Sequence, residues 1–225
     1  MPHALRMAVV SSLLALSACQ QGPIAMTDTT SDTPAARDAS RAEYRRNPDP
    51  REAYRITMRI KDAPGPFASM RALAQYDVTN RECLAPPRDN PGGRSSPVPT
   101  EDVEIALTPT GDGQYAATVY GDYMVDEDYT GNGACHWELM QFRVHMKATG
   151  AKGETLFIPS IPDRKLLAGE SETVYFNKVA YPRRASSELE EPLSLGESDR
   201  SRYGPSIRDD ELFTVTFDLG KDAAP

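Results

Sequence analysis

From Tyr54 to Leu219 apolar residues recur at every second position in short bursts, separated by breaks rich in Gly, Pro and Asp. In AYRITMRIK, Tyr54, Ile56, Met58 and Ile60 share one face and Arg55, Thr57 and Arg59 the other, the alternation of a half-buried strand. LAQYDVTN, with Tyr76 and Val78, reads as a weaker strand that competes with a short helix from Phe67. DVEIALT and QYAATVY flank TPTGDG, so Val103, Ile105 and Leu107 are expected to face Tyr115, Ala117 and Val119 across a hairpin. Met140, Phe142, Val144, Met146 and Ala148 alternate next, followed by the short runs TLFI and TVYFNK. Phe213, Val215, Phe217 and Leu219 close the pattern. These bursts predict about seven or eight strands, and no long stretch has the helical period. An all-β antiparallel β-sandwich follows, the immunoglobulin arrangement being one such form, with a small barrel as the alternative.

Outside the alternating region the chain changes character. Residues 1–18 carry Arg6 and then an apolar run, Met7 to Leu16, that is too short to span a bilayer. Leu16-Ser17-Ala18-Cys19 resembles the lipobox of bacterial lipoproteins. That resemblance implies cleavage of the signal peptide and acylation of Cys19. With Gln20 following the cysteine, it also implies an outer-membrane anchor facing the periplasm. Several acyl chains on one residue hold a protein stably where a single chain is marginal. Residues 19–50, rich in Thr, Asp, Ala and Pro, are expected to form a flexible tether, reaching about 30 Å root-mean-square as a coil. The β domain is expected over 51–221. A polar stretch at about 183–210, PRRASSELEEPLSLGESDRSRYGPSIRDD from Pro182, fits no strand and is read as a long loop, either functional or disordered.

Charge and cysteine content narrow the chemistry. The chain carries 25 basic and 33 acidic side chains, a net charge of −8. That balance argues against nucleic acid as a partner and is permissive for a basic protein. With Cys19 assigned to lipid, Cys83 and Cys135 remain as a pair in an oxidising compartment, where a disulfide is expected. It would close a loop of about 53 residues and contribute roughly 4 kcal/mol on the chain-entropy account.

The densest chemistry lies in DEDYTGNGACHWEL, residues 126–139. Asp126-x-Asp128-x-Thr130-Gly131 begins like a calcium loop, but the bidentate glutamate such a loop needs at its twelfth position is replaced by Trp137. An irregular calcium site on Asp122, Asp126 and Asp128 is the remaining metal alternative, with no cofactor as the leading expectation. His136 and His145, nine apart on one strand, are expected on opposite faces, and neither HExxH nor CxxC occurs, which argues against zinc. There is no GxSxG elbow and no glycine-rich phosphate loop. The fold-staple reading uses more of the residues: Gly131 and Gly133 supply positive φ, Cys135 ties the strand start to Cys83, and Trp137 packs on the bridge. The acids and tyrosines of the lip, Tyr123, Asp126, Glu127, Asp128 and Tyr129, then form a candidate protein-binding surface, with core tyrosines as the alternative.

The lipobox, the tether and DYTGNGACHW together resemble envelope lipoproteins of proteobacteria. Some of these are similar to immunity lipoproteins that accompany contact-dependent secretion-system effectors. The resemblance implies an anchored binding protein whose partner is a secreted toxic enzyme, such as a lipase or peptidoglycan hydrolase. An accessory lipoprotein of an envelope assembly and a cell-envelope hydrolase are the alternatives.

Overall fold

The computed structural model describes residues 44–220 except 87, 91–92, 96 and 184–190. Residues 1–43, which hold the expected signal peptide, Cys19 and most of the expected tether, lie outside the described residues, as do 184–190 of the polar stretch.

Two sheets form the domain. The first has the order β11-β13-β1-β7-β6, built from β1 (Ala53–Lys61), β6 (Thr108–Gly111), β7 (Gln114–Tyr120), β11 (Glu172–Asn177) and β13 (Leu212–Leu219). The second has the order β12-β9-β8-β2-β5, built from β2 (Ser69–Val78), β5 (Thr100–Ile105), β8 (Trp137–Lys147), β9 (Leu156–Phe157) and β12 (Leu193–Ser194). A short β10 (Ser160–Pro162) also pairs with β8 and leads into the only α-helix among the described residues, α1 (Asp163–Ala168). Two further strands, β3 (Arg88–Asn90) and β4 (Gly93–Ser95), make a small separate hairpin.

The inward faces follow the alternation. Ile56 and Met58 of β1, Val174 and Phe176 of β11, and Val215 and Phe217 of β13 are buried from one sheet. Ala74, Tyr76, Phe142, Val144 and Met146 meet them from the other. Aromatic rings tie the layers: Phe142 lies edge-on to Phe217 with centroids 5.8 Å apart, and Phe157 lies edge-on to Phe176 at 5.5 Å and to Phe213 at 5.4 Å. Such offset and edge contacts add to the area each ring removes from water. The molecule is thus an all-β sandwich. Its neighbour relations include those of the immunoglobulin arrangement: β6, β7 and β1 sit as strands D, E and B do, and β5, β2 and β8 as C′, C and F. The place of strand A is filled from the far end of the chain, by β13 and then β11.

Three expectations need correction. The hairpin expected between DVEIALT and QYAATVY does not form. β5 belongs to the second sheet and pairs with β2, whereas QYAATVY pairs with TPTG, as β6, across the Gly111–Gly113 turn. Val103 and Ala117 are both buried, but as members of one core between sheets. Alternation records which face is buried and is blind to which sheet supplies the partner.

The second correction is a bulge in β8. Gln75 pairs with Gln141, but the next residue of β2, Tyr76, pairs with Leu139, so Met140 is the extra residue. Trp137 and Leu139 therefore share the core face with Phe142, Val144 and Met146 despite their odd numbers. Met140, expected in that row, is only partly buried. The bulge also turns His136 and His145 outward on the same side, not on opposite faces. They stay far apart, because His145 pairs with Arg71 at one end of β2 and His136 lies beyond Val78 at the other.

The third concerns the polar stretch, whose described part, 191–210, is structured. β12 pairs in parallel with β9 at the edge of the second sheet. Three residues later Glu197 exchanges both backbone hydrogen bonds with Tyr175 of β11, at the edge of the first sheet (2.8 and 3.0 Å). The segment thereby laces two edge strands together across one side of the sandwich and covers backbone groups that would otherwise be open to pairing. Gly196, between the two attachments, has φ +70°, and a Cβ there would fall 2.5 Å from Val174 and 2.7 Å from Phe176. Only glycine allows so close an approach.

Candidate interaction surface

The lip residues sit at the end of the sandwich where the chain enters the domain. After β7 ends at Tyr120, residues 121–125 run alongside 45–52. Gly121 N–H donates to the Glu52 carbonyl (2.9 Å), Asn47 N–H to the Tyr123 carbonyl (2.7 Å), and Val125 N–H to the Arg45 carbonyl (3.0 Å). The Asp122 carboxylate accepts backbone N–H groups from Arg51 (2.9 Å) and Glu52 (3.0 Å). Tyr44 then places its ring edge-on to Tyr129 (5.1 Å) and to Trp137 (4.9 Å). Residues 44–50, assigned to the tether from composition, are therefore part of the folded domain. The signal in the sequence was Tyr44 itself, an aromatic in an otherwise polar run.

The two central tyrosines are structural. Tyr123 stacks on buried Tyr76 (5.7 Å), and the Arg46 guanidinium lies 6.0 Å from the Tyr123 centroid. The Tyr76 hydroxyl donates to the Tyr120 carbonyl at 2.6 Å, and burial pushes its pKa well above the ordinary phenol value. The Tyr129 hydroxyl donates to the Val125 carbonyl (2.6 Å) and accepts the Arg45 N–H (3.3 Å). Beside it, Arg45 pairs with Glu127 at 2.6 Å.

The DYTGNGACH loop is clipped at its base. Cys135 N–H donates to the Glu127 carbonyl (2.9 Å), and Cys135 is disulfide-bonded to Cys83 with Cα atoms 5.2 Å apart. Asn80 spans the same gap: its Nδ2 donates to the Ala134 carbonyl (2.8 Å) and its Oδ1 accepts His136 N–H (2.6 Å). The Thr130 hydroxyl donates to the Cys83 carbonyl. Asn132 Nδ2 donates to Thr130 Oγ1 (2.9 Å) and, more weakly, to the Leu84 carbonyl (3.4 Å). Gly131 (φ 82°) and Gly133 (φ 105°) take the positive-φ turns. The sequence does not single out Asn80, and it marks Thr130 only as a calcium-loop position, because a single polar residue outside a strand carries no signal of what it will tie.

The acids of the lip are turned to the backbone. Asp128 accepts N–H groups of Thr130 (3.2 Å) and Gly131 (2.6 Å). Desolvation opposes its ionisation, but the backbone N–H groups of Gly131, Gly133, Thr130 and Asn132 outweigh it and hold the carboxyl below its ordinary range. Asp126 accepts Trp137 N–H (2.9 Å) through one oxygen and binds His136 Nδ1 (2.8 Å) through the other. Orienting His136 by a carboxylate leaves its other ring nitrogen free of that contact. Trp137 is buried in the core that contains Cys83 and Cys135, and its indole N–H meets no partner among the described residues.

The calcium alternative is not assembled. Asp122, Asp126 and Asp128 serve three separate sets of backbone donors, and among the described residues no group of three or more His, Cys, Asp or Glu converges as a metal site. A calcium ion needs six to eight oxygens around one point, which these carboxylates do not provide. Of the five lip residues, Tyr123, Glu127 and Tyr129 are half-buried and committed to neighbours, while Asp126 and Asp128 stay exposed. The accessible surface here is Asp126, Asp128, residues 130–134 and His136.

A cleft of about 240 Å³, lined by Ile105, Ala106, Thr108, Ala116, Ala117 and Thr118, lies at β5, β6 and β7. No helix among the described residues is long and apolar enough to cross a membrane. A comparison of the chain with known protein families, curated proteins and solved structures finds no match.

Proposed function

We propose that the protein is an outer-membrane-anchored lipoprotein whose domain faces the periplasm and binds a protein partner. The partner class is a secreted toxic enzyme, a lipase or peptidoglycan hydrolase, that the domain occludes as an immunity protein. Anchoring rests on Leu16-Ser17-Ala18-Cys19. The binding reading rests on one structural observation: the exposed loop from Asp128 to Ala134 is held in place by the Cys83–Cys135 bridge, by Asn80 and by Thr130. An acidic projection that is already ordered loses little entropy on entering a basic or sugar-binding cleft, and its charge steers encounter with a basic rim.

The test uses the domain from residue 43 onward with its disulfide intact, immobilised against envelope and secreted extracts of the producing strain. The expected result is one stoichiometric enzyme whose activity falls when the domain is added and recovers when Ala134→Arg, which touches none of the loop's internal bonds, replaces it. Recovery of membrane-complex subunits would replace this reading with an assembly role, and turnover of envelope substrates by the domain alone would replace it with a hydrolase. Acylation is tested separately: Cys19→Ala is expected to abolish palmitate labelling and membrane fractionation.

A further inference from the structure

The chain has five asparagines, and their surroundings differ in one respect that matters chemically. Asn47 and Asn90 precede proline, whose nitrogen carries no hydrogen and cannot act as an internal nucleophile. Asn80 is followed by Arg81 and tied through both side-chain atoms, to the Ala134 carbonyl and the His136 N–H. Asn177 is followed by Lys178, with its Oδ1 engaged by Val179 N–H at 2.9 Å. Asn132 alone is followed by glycine, and it lies on the exposed tip of the stapled loop.

We propose that Asn132 is a site of spontaneous deamidation, with the Gly133 backbone nitrogen as nucleophile. Glycine presents no Cβ to hinder approach to the Asn132 Cγ, and even a Cβ built at Gly131 or Gly133 would meet nothing within 4 Å, so a five-membered ring has room to close. A solvent base removes the Gly133 N–H proton. The N–Cγ bond forms, the Cγ–Nδ2 bond breaks, and ammonia leaves, taking back a proton. Water then opens the cyclic imide at either carbonyl, so the net change is asparagine plus water to aspartate or isoaspartate plus ammonia. No oxidant, metal or enzyme is required. The Asp128 carboxylate, which accepts the Thr130 and Gly131 N–H groups, stands at the same turn, and its negative charge disfavours loss of a proton from the neighbouring Gly133 N–H. Asp128 therefore slows the reaction in the folded loop.

The product alters the staple at a defined point. The Nδ2 donor to Thr130 Oγ1 and to the Leu84 carbonyl disappears, and a new carboxylate stands near Asp128. The isoaspartate form also lengthens the backbone inside a loop whose base is tied by the Cys83–Cys135 bridge and Asn80. A lip with an additional negative charge and fewer internal ties is thus a time-dependent form of this surface.

The full chain, disulfide intact, is incubated at physiological temperature at mildly alkaline and mildly acidic pH, then mapped by peptide mass spectrometry with detection of isoaspartate. The expected result is an amide-to-acid mass change at residue 132 that is faster at the higher pH, includes isoaspartate, and is absent from Asn132→Gln, whose longer side chain disfavours the five-membered ring. Asp128→Asn is expected to react several-fold faster. The proposal is overturned if residue 132 stays unmodified in the folded chain while the reduced, denatured chain deamidates there, or if another asparagine reacts first.

Discussion

Two irregular segments close this sandwich, and they do so by different means. The corner around 126–137 is tied covalently and by side chains: one disulfide, the Asn80 and Thr130 clips, and two aspartates that accept backbone N–H groups. The lacing segment around 191–204 is tied by backbone, through β12 on β9 and Glu197 on Tyr175, with the Tyr203 hydroxyl donating to the Tyr175 carbonyl at 2.9 Å. The corner exposes acids and glycines. The lacing segment exposes Leu193 and Leu195, which are 51% and 61% accessible. A side-chain staple leaves the loop tip free for contact with another molecule. Backbone lacing occupies the segment's own hydrogen-bonding groups and uses it to finish the fold. The two long non-strand stretches of the sequence are thus tied differently, one around an exposed tip and the other as a seam along two sheet edges.

Perturbing each closure separately sharpens that contrast. Removing the bridge with Cys83→Ser and Cys135→Ser together is expected to destabilise the domain by about 4 kcal/mol. Amide exchange should rise first at 127–136, with the exchange of β12 following only global unfolding. Gly196→Ala places a Cβ against Val174 and Phe176 at positive φ, and overpacking with left-handed strain is expected to cost about 3 kcal/mol. Its local effect should fall on 191–204 and β11 and leave the corner unchanged. The two losses should add within about 0.5 kcal/mol in denaturant titrations, since the sites share no partner. Coupling well above that would mean the two closures act as one.

Smaller effects probe the corner from within. Asp126→Ala strips the acceptor from the Trp137 N–H and the anchor from His136, an expected loss of about 1 kcal/mol in chemical denaturation. Asp128 supplies a pH dependence. Its pKa is lowered on folding, so the folded state binds fewer protons than the unfolded one. The resulting stabilisation is fully present above the ordinary aspartate pKa and is lost as pH falls through the lower folded value. Melting temperatures between pH 5 and pH 2.5, values chosen about this range, should therefore fall less steeply for Asp128→Asn than for the unsubstituted domain. An unchanged slope would remove Asp128 from the loop's support.

Much of this was legible in residue order, and the exceptions share a cause. The rows Tyr54–Ile60 and Phe213–Leu219 read directly as strands because one buried face imposes a period of two. In the row from Met140 to Ala148 only Met140 is out of place, since a bulge leaves no mark in hydrophobicity. The β5–β7 hairpin was read across a turn that in fact separates two sheets, because neighbours in sequence need not pair. Cys83 and Cys135 were paired by count and compartment. Asn80 and Arg45 stayed invisible, and so did the tie of Thr130 to Cys83, each acquiring its meaning from a residue dozens of positions away. The lip acids were visible, but the backbone groups they would face were not.

The sequence by itself determined the main strands, most of the buried faces, the cysteine pairing and the motif at Leu16–Cys19, since each depends on local period, composition or count. The tertiary structure alone decided the rest: which sheet each strand joins, where β8 bulges, that 44–50 belongs to the domain, and that 191–204 laces its edge. It also decided that the aspartates of the lip face backbone N–H groups while Glu127 pairs with Arg45. The physical reason is that backbone pairing and close approach are set by long-range geometry, and a polar residue is equally content with water until the fold brings it a partner.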